Sequence, residues 1–258
     1  MFWKKKKINI PPQPVHKTPI DTRIYAIGDI HGNADLLNQL HKKINDDAKQ
    51  YYVQNKIIIY LGDYIDRGLQ SKEVIDTLIN NPLEGFKKIY LKGNHEEALL
   101  TFLEEPEFGD SWFLQGGQAT VRSYGAKLHD KDNQRLGMTE VHKNFNNSLP
   151  SKHLEFYRNL KISHIESDYI FVHAGLKPGV DIKKQKDWDM LTIREEFVFS
   201  KKEFDKTVVF GHTIFTEPFQ KNKRIGIDTG AYAYGKLTCV VLQDSSIKFL
   251  TATTNEKK

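Results

Sequence analysis

The chain has 258 residues, of which 39% are hydrophobic and 28% are charged, a composition that excludes a disordered protein and suits a globular one. No apolar run approaches the roughly 20 residues of a membrane-spanning helix. Cys239 is the only cysteine, so an internal disulfide is excluded and a reducing, cytoplasmic location is expected.

The formal net charge of +5 comes from residues 1–20, which contain five lysines, four prolines and no acidic residue. These residues are predicted to form a basic, flexible tail that is either solvated or touches an acidic surface. Because no apolar stretch follows the lysines, a secretory signal is not expected. Residues 21–258 are formally neutral and are predicted to form a single domain, so nucleic acid is not an expected partner.

Two short apolar runs near the start of this domain lead into motifs that combine acids with glycine. Residues Arg23–Ile27 are followed by Gly28–Gly32, with the sequence Gly-Asp-Ile-His-Gly. After a helix-like stretch, Lys56–Leu61 is followed by Gly62–Gly68, with the sequence Gly-Asp-Tyr-Ile-Asp-Arg-Gly. Both runs are rich in β-branched residues and are predicted to be buried strands, which place the motifs at strand ends.

A third strand and motif follow at a similar distance along the chain. A helix is predicted to begin at Ser71 and to end at Asn81-Pro82, and the strand Lys88–Lys92 then leads into Gly93–Glu96, with the sequence Gly-Asn-His-Glu. A spacing of about thirty residues is typical of β-α-β units. Because such units are parallel, we expect the three motifs to meet at one sheet edge.

The segment of about 97–160 is predicted to be an insertion that caps this edge. It begins with a helix, continues through an aromatic and glycine-rich stretch at Trp112–Tyr124 and a polar loop at 127–148, and ends with a helix from Ser151. The stretch Trp112–Tyr124 either lines a substrate groove or packs in the core.

Two later strands lead into histidines. Tyr169–Val172 precedes His173, and Thr207–Phe210 is followed by Gly211 and His212. Short β-like runs then occur at 224–227, 237–242 and 247–250 and predict an antiparallel section. The resulting fold class is α/β.

Side chains of the types that divalent cations prefer follow all five strands. They are Asp29, His31, Asp63, Asn94, His173 and His212. Six ligands are too many for one catalytic ion with open positions, so they predict two ions that share the carboxylate of Asp63. Two such ions can hold a hydroxide for in-line attack on phosphorus. Arg67, directly after Asp66, can bind phosphoryl oxygens.

These motifs resemble the signature of the phosphoprotein phosphatase (PPP) family of metallophosphoesterases, over roughly residues 22 to 250. The resemblance implies a metallophosphatase-type sandwich of two mixed β-sheets flanked by helices. It implies one ion held by Asp29, His31 and Asp63, and a second ion held by four residues, which are Asp63, Asn94, His173 and His212. The ions are expected to be Mn²⁺, with Fe or Zn as alternatives.

The resemblance also implies roles for the remaining site residues. His95 would be the general acid, held in place by Asp66, and Arg67 would bind the phosphoryl oxygens. Alternatively, His95 only caps the following helix, and Asp66 only stabilises a turn. Arg194 resembles the second phosphate-binding arginine of bacterial members, although a surface ion pair with Glu195 or Glu196 is an alternative. The other histidines are expected to be solvated; they are His16, His41, His129, His142, His153 and His164.

Two substrate classes fit the resemblance. Glu96 favours a serine/threonine phosphoprotein phosphatase acting on phosphorylated protein, because the symmetrical dinucleoside tetraphosphate hydrolases usually carry Asp there. Ala174 favours the hydrolases, since eukaryotic protein phosphatases have glycine at that position. Bacterial protein phosphatase-like members share this mixture, so we predict a protein phosphatase, with symmetrical hydrolysis of diadenosine tetraphosphate as the alternative. A non-catalytic phosphate-binding scaffold is a further hypothesis, although no expected ligand is missing.

Overall fold

The computed structural model describes residues 17–80 and 83–254. The predicted tail up to residue 16 and the predicted helix end at Asn81-Pro82 lie outside these residues. Thr18, near the end of the predicted tail, is buried and exchanges hydrogen bonds with Asp244 through its backbone N–H and its hydroxyl. The last residues of this segment therefore pack against the folded domain.

Ten strands in the described residues form two sheets of five strands each. The first sheet contains β1 (Thr22–Ile27), β2 (Asn55–Tyr60), β3 (Lys87–Tyr90), β9 (Lys236–Gln243) and β10 (Ser246–Thr253), in the order β10-β9-β1-β2-β3. The second contains β4 (Ser163–Glu166), β5 (Tyr169–Val172), β6 (Thr207–Phe210), β7 (Phe219–Lys221) and β8 (Arg224–Gly226), in the order β4-β5-β6-β8-β7. Both sheets are mixed, because parallel strands lie beside antiparallel ones in each.

Helices cover the outer face of each sheet. They are α1 (Ala34–Gln50), α2 (Ser71–Asn80), α3 (Asn94–Glu104), α4 (Gly109–Leu114), α5 (Gly117–Ser123), α6 (Met138–Ser148), α7 (Ser151–Arg158), α8 (Asp187–Thr192), α9 (Glu195–Val198) and α10 (Ala231–Tyr234). Short 3₁₀ turns occur at Pro106–Phe108 and Ile182–Lys184. Within the described ranges, no helix is both long enough and apolar enough to span a bilayer.

Alternate residues of each central strand face different cores, which explains why the strands are continuously apolar. In β1, Ile24 packs between the two sheets, whereas Tyr25 packs against the helices of the first sheet. In β5, Phe171 packs between the sheets and Ile170 packs against α8 and α9. The structure thus confirms the predicted α/β sandwich of two mixed sheets flanked by helices.

The strand register brings the predicted motifs together. Ile27 of β1 pairs with Tyr60 of β2, and Tyr60 pairs with Tyr90 of β3, all in parallel. In the second sheet, β5 and β6 are also parallel neighbours. The first three strands end at one edge of the first sheet, as the spacing predicted, and His173, after β5, contacts the loops that follow β2 and β3.

Three local predictions are wrong. Residues 127–148 are not only a loop, because α6 forms there and buries Val141 and Phe145. Two apolar residues four positions apart are enough to anchor this helix, although its composition is polar. The run at 224–227 forms β8, which is antiparallel to β7, as predicted, but the three runs do not form one antiparallel section, because β8 lies in the other sheet from β9–β10 and is also parallel to β6. His41 and His153 are buried, whereas the sequence predicted solvated rings.

Candidate metal centre and catalytic groups

Backbone hydrogen bonds join the loops after β1 and β2. The carbonyl oxygen of Asp63 accepts hydrogen bonds from the N–H groups of Ile30 and His31, at 3.0 and 2.9 Å. Five non-glycine residues here have φ between 46° and 70°: His31, Asp63, Asp66, Arg67 and His212. Such conformations cost about 1–3 kcal/mol each and are concentrated at functional sites. The loop geometry is therefore maintained at a conformational cost where the predicted ligands lie.

His31 and His173 each direct a ring nitrogen lone pair toward Asp63. Their Nδ1 atoms lie 2.8 and 2.9 Å from the carbonyl oxygens of Ile65 and Leu61. Because a carbonyl oxygen only accepts, each neutral ring carries its proton on Nδ1 and its lone pair on Nε2. The two Nε2 atoms lie 3.5 and 3.4 Å from Oδ2 of Asp63. Burial lowers the pKa of His31 to about 3 and also lowers the pKa of His173, so both rings are neutral.

Further ligand atoms meet on the second-sheet side of Asp63. Nε2 of His173 lies 3.0 Å from Oδ1 of Asn94 and 3.2 Å from Nδ1 of His212. The Nε2 atom of His212 is buried without a hydrogen-bond partner, and burial lowers the pKa of this ring to about 2. With the His173 proton on Nδ1, Nε2 of His173 and Oδ1 of Asn94 are both acceptors, and a cation between them would relieve their repulsion.

Two groups of potential metal ligands share the carboxylate of Asp63. One group is His31, Asp63 and His95, and the other is Asp63, His173 and His212; within each, the ligand atoms lie within 4.8 Å of one another. Asp63 is buried between the histidines of both groups, with Oδ2 at 3.4 to 3.8 Å from Nε2 of His173, His31 and His95. The donor set thus fits divalent cations, with Asp63 placed to serve both groups.

Asp29 lies beside these groups with its carboxylate directed at the backbone of His212. Its Oδ1 and Oδ2 atoms accept from the His212 N–H at 3.1 and 3.0 Å. A Cβ atom at Gly211 would overlap with Oδ1 of Asp29, so glycine permits this approach. Burial raises the pKa of Asp29, and the nearby carboxylates of Asp228 and Asp63 raise it further. A cation at this position would favour the ionised form.

His95 forms a short hydrogen bond to Asp66, which is held by its own partners. Nδ1 of His95 lies 2.7 Å from Oδ2 of Asp66, and this same oxygen accepts from Nε1 of Trp112 at 2.8 Å. Oδ1 of Asp66 accepts from the hydroxyl of Thr120 at 2.6 Å. Burial alone would lower the pKa of His95, but the charges on Asp63 and Asp66 outweigh it and raise this pKa. Nε2 of His95 faces Oδ2 of Asp63 at 3.8 Å and is available as a proton donor.

Glu96 organises the loop after β2 and does not point toward the ligand groups. Its two carboxylate oxygens accept from the N–H groups of Gly93, Asp63 and Tyr64, at 2.8 to 2.9 Å. Burial raises the pKa of Glu96 to about 8, with the charge of Asp63 as the next cause. Since the side chain is fully buried and saturated by backbone donors, it cannot select a substrate by direct contact.

The two predicted phosphate-binding arginines lie on different sides of the site. Nη1 of Arg67 is 3.1 Å from Nε2 of His31, and its guanidinium lies 4.4 Å from the ring centre of Tyr232. Nη1 of Arg194 donates to the carbonyl oxygen of His212 at 2.9 Å. This hydrogen bond connects Arg194 to the loop that follows β6. Glu196, which was a predicted ion-pair partner of Arg194, instead pairs with Lys177 at 2.9 Å.

Several site residues were not predicted from the sequence. Asp228 is buried, accepts from the Gly230 N–H at 2.9 Å and has a pKa raised by burial to about 6. The signal was available, because Asp228 lies two residues after the end of the strand β8, as Asp29 lies two residues after the end of β1. Trp112 is fully buried, which favours core packing over a groove-lining role. Its indole N–H also donates a hydrogen bond to Asp66.

Residues 22–236 match the calcineurin-like phosphoesterase family (Metallophos). The chain belongs to this family. It is a metal-dependent phosphoesterase in the general sense of the family, which agrees with the ligand groups around Asp63. The finer resemblance to serine/threonine phosphoprotein phosphatases remains a prediction.

Several bacterial proteins resemble this chain over most of its length. An asymmetrical bis(5′-nucleosyl)-tetraphosphatase PrpE from Anoxybacillus flavithermus is 29% identical over 228 residues, which is 83% of this chain and 88% of the relative. The enzyme of the same name from Oceanobacillus iheyensis is 28% identical over 235 residues, or 84% and 87% of the two chains. A crystal structure provisionally assigned as a diadenosine tetraphosphatase covers 92% of this chain and 97% of its own, with a TM-score of 0.59 and 18% identity. That last similarity concerns the fold alone.

Proposed function

We propose that residues 21–258 form a catalytic domain that hydrolyses dinucleoside tetraphosphates with the help of two divalent cations. The observation that carries the chemistry is the convergence of buried, unprotonated nitrogen and oxygen atoms on Asp63 from both sheets. The substrate class is supported by the names of relatives that align over more than four fifths of the chain.

In this proposal, one ion is held by Asp29, His31 and Asp63. The other is held by the four residues Asp63, Asn94, His173 and His212. When bound, such ions supply Lewis acidity and activate water. Mn²⁺ is the expected metal, with Fe or Zn as alternatives.

The catalytic side chains of the protein act on the two ends of the reacting bond. Arg67 binds the phosphoryl oxygens, because its guanidinium lies beside His31 at the edge of the ligand groups. His95 gives the proton on Nε2 to the leaving oxygen, and Asp66 keeps the ring oriented. Arg194 is the second candidate for binding the phosphate groups.

A serine/threonine phosphoprotein phosphatase is the second candidate function. The observation that favours it is the 2.7 Å hydrogen bond from Nδ1 of His95 to Asp66, which supports a protonated ring, because an alkoxide leaving group needs a proton more than a phosphate does. The residue on which this prediction depended most, Glu96, faces the backbone and offers no contact that would favour a phosphopeptide.

The deciding experiment compares substrates with the Mn²⁺-loaded protein. Diadenosine tetraphosphate and a phosphothreonine peptide are incubated separately, and the products are separated by ion-exchange chromatography. ATP and AMP are expected from the dinucleotide by asymmetrical cleavage; ADP alone would indicate symmetrical cleavage. Phosphate release from the peptide with an intact dinucleotide would reject the proposal, and the Asp63→Asn variant controls for contaminating hydrolases.

A further inference from the structure

A cavity of about 360 Å³ lies beside the proposed metal ligands, between α3 and α8. Its α3 wall includes Asn94, whose Oδ1 atom lies 3.0 Å from Nε2 of His173. Its α8 wall includes Thr192, two residues before Arg194, which donates to the carbonyl oxygen of His212. Both walls therefore end at residues of the candidate site, and the size is that of a small-molecule pocket.

The lining of this cavity suits a flat, uncharged ring. Trp188 is 69% exposed, although an indole is normally among the more buried side chains. Ala98, Phe108 and Leu191 supply further apolar surface. Exposed aromatic rings next to phosphate-binding groups are stacking platforms for nucleobases.

The charged groups of the cavity are both acidic. Glu97 accepts from Nζ of Lys92 at 2.9 Å, and Asp187 lies in the first turn of α8. Carboxylates repel a phosphate chain, but they accept hydrogen bonds from an exocyclic amino group. The phosphates are thus expected at the two arginines and the ligand groups, while the base enters the cavity.

We propose that this cavity binds one nucleobase of the substrate, with Trp188 stacked on a base that carries an exocyclic amino group, such as adenine. The inference rests on the proposed function and specifies its substrate. Since Asn94 belongs to both the cavity and the ligand groups, only the ribose separates the bound base from the reacting phosphorus. The phosphorus attacked is then the α-phosphorus.

The products follow from that position. Water forms a bond to the α-phosphorus, and the bond from this phosphorus to the bridging oxygen breaks. His95 gives its proton to the bridging oxygen, and the water proton passes to solvent. Diadenosine tetraphosphate is thereby cleaved to AMP and ATP.

The test measures base-dependent binding and kinetics separately. Titration calorimetry with the chelated protein, which cannot hydrolyse the ligand, compares AMP with ribose 5-phosphate. AMP is expected to bind about tenfold tighter or more, and Trp188→Ala should remove that difference while Trp188→Phe keeps most of it. Phe199→Ala is the matched control, because Phe199 is 72% exposed and does not line the cavity.

Kinetics with the Mn²⁺-loaded protein provide the second readout. Trp188→Ala should raise KM for diadenosine tetraphosphate about tenfold, whereas Phe199→Ala should leave this KM unchanged. Equal affinities of the wild type for AMP and ribose 5-phosphate would overturn the proposal. A rise in KM for a basic phosphopeptide in both Trp188→Ala and Asp187→Asn would also overturn the proposal, because the cavity would then hold a cationic side chain.

The two proposals can fail separately. Base-dependent AMP binding that Trp188→Ala abolishes, in a protein that leaves diadenosine tetraphosphate intact, would reject the proposed function and keep the nucleobase cavity. Hydrolysis of the dinucleotide with the same KM in wild type and Trp188→Ala would keep the function and reject the cavity.

Discussion

The proton positions of three histidines follow from their acceptors. His31 and His173 have Nδ1 beside a backbone carbonyl oxygen, whereas His95 has Nδ1 beside the carboxylate of Asp66. A neutral carbonyl acceptor leaves a buried ring neutral, so the lone pair on Nε2 can bind the proposed metal ion. A carboxylate acceptor favours the imidazolium, so Nε2 becomes a donor. Histidines a few ångströms apart are thus expected to have two different roles, binding metal at His31 and His173 and donating a proton at His95.

Substituting His95 by Asn tests this division. Bound metal should stay at the wild-type level, because a protonated ring is not a ligand. Turnover should fall about 10²–10⁴-fold on a substrate whose leaving group needs a proton, such as an alkyl phosphate. The loss should be much smaller on p-nitrophenyl phosphate, whose leaving group departs as an anion.

Metal content by mass spectrometry and kcat on both substrates check this expectation. A loss of metal in His95→Asn would assign His95 to the ligand group with His31 and Asp63. Equal losses on the two substrates would contradict the role as a general acid.

Residue identities at the strand ends were the most predictable part of the site. Short-range sequence patterns predict these residues: an apolar run is followed by a glycine and then by an acid or a histidine. The supporting contacts were not predictable, because Thr120 and Trp112 reach Asp66 from 54 and 46 residues away in sequence. Glu96 was recognised as part of a motif, but only the structure places its carboxylate against three backbone N–H groups.

At the scale of elements, α1 is attached to the first sheet by a buried ionic network. Asp47 of α1 accepts from Nε and Nη2 of Arg23 at 3.0 and 2.7 Å and from the hydroxyl of Tyr25 at 2.8 Å. Its other oxygen accepts from Nζ of Lys248 on β10 at 2.8 Å. One carboxylate therefore connects α1 to both β1 and β10.

Replacing Asp47 by Ala should lower the free energy of unfolding by about 3–5 kcal/mol, because Arg23 would remain buried without its partner. Burial alone would raise the pKa of Asp47, but hydrogen bonds from Lys248, Arg23 and Tyr25 outweigh it and lower this pKa. A lowered pKa in the folded state stabilises the fold above the unfolded-state pKa, and this contribution is lost as pH falls through the folded-state value.

Urea denaturation between pH 7 and pH 3 measures both effects. The stability difference between wild type and Asp47→Ala should be full at pH 7 and shrink below about pH 4. Asp46→Ala is the matched control, since Asp46 is exposed and pairs with Lys49 at only 3.7 Å; it should change stability by less than about 0.5 kcal/mol. An equal effect of the two substitutions would contradict the structural role of Asp47.

The elements that the sequence predicted best have strong periodicity. The strands β1, β2, β5 and β6 were predicted because both of their faces are buried and their sequences are continuously apolar. Helix α6 was missed because only Val141 and Phe145 are buried in it. Strands β4 and β7 were missed because most of their residues are exposed or only half-buried, so no apolar run marks them.

At the scale of the whole molecule, the proposed metal ligands come from both sheets. Asp29, His31, Asp63 and Asn94 follow strands of the first sheet, and His173 and His212 follow strands of the second. The two sheets are also joined by apolar packing between their inner faces and by hydrogen bonds such as that from the His212 N–H to Asp29. Bound cations would therefore add a connection between the sheets that exists only in the folded state.

Metal binding should consequently raise the thermal stability of the entire chain. A ligand at 100 times its Kd stabilises the folded state by about 2.7 kcal/mol, if the unfolded chain does not bind it. For a chain of this size, 1 kcal/mol shifts Tm by about 2–4 °C, so Mn²⁺ should raise Tm by several degrees over the chelated protein. Differential scanning calorimetry across a Mn²⁺ titration measures the shift.

Two variants test where Mn²⁺ binds. Asp63→Asn, which alters the carboxylate common to both ligand groups, should lose most of the Tm shift, whereas Asp110→Asn, at an exposed position, should retain it. An unchanged Tm shift in Asp63→Asn would show that Mn²⁺ stabilises the fold from another place, and the shared-carboxylate arrangement would have to be abandoned.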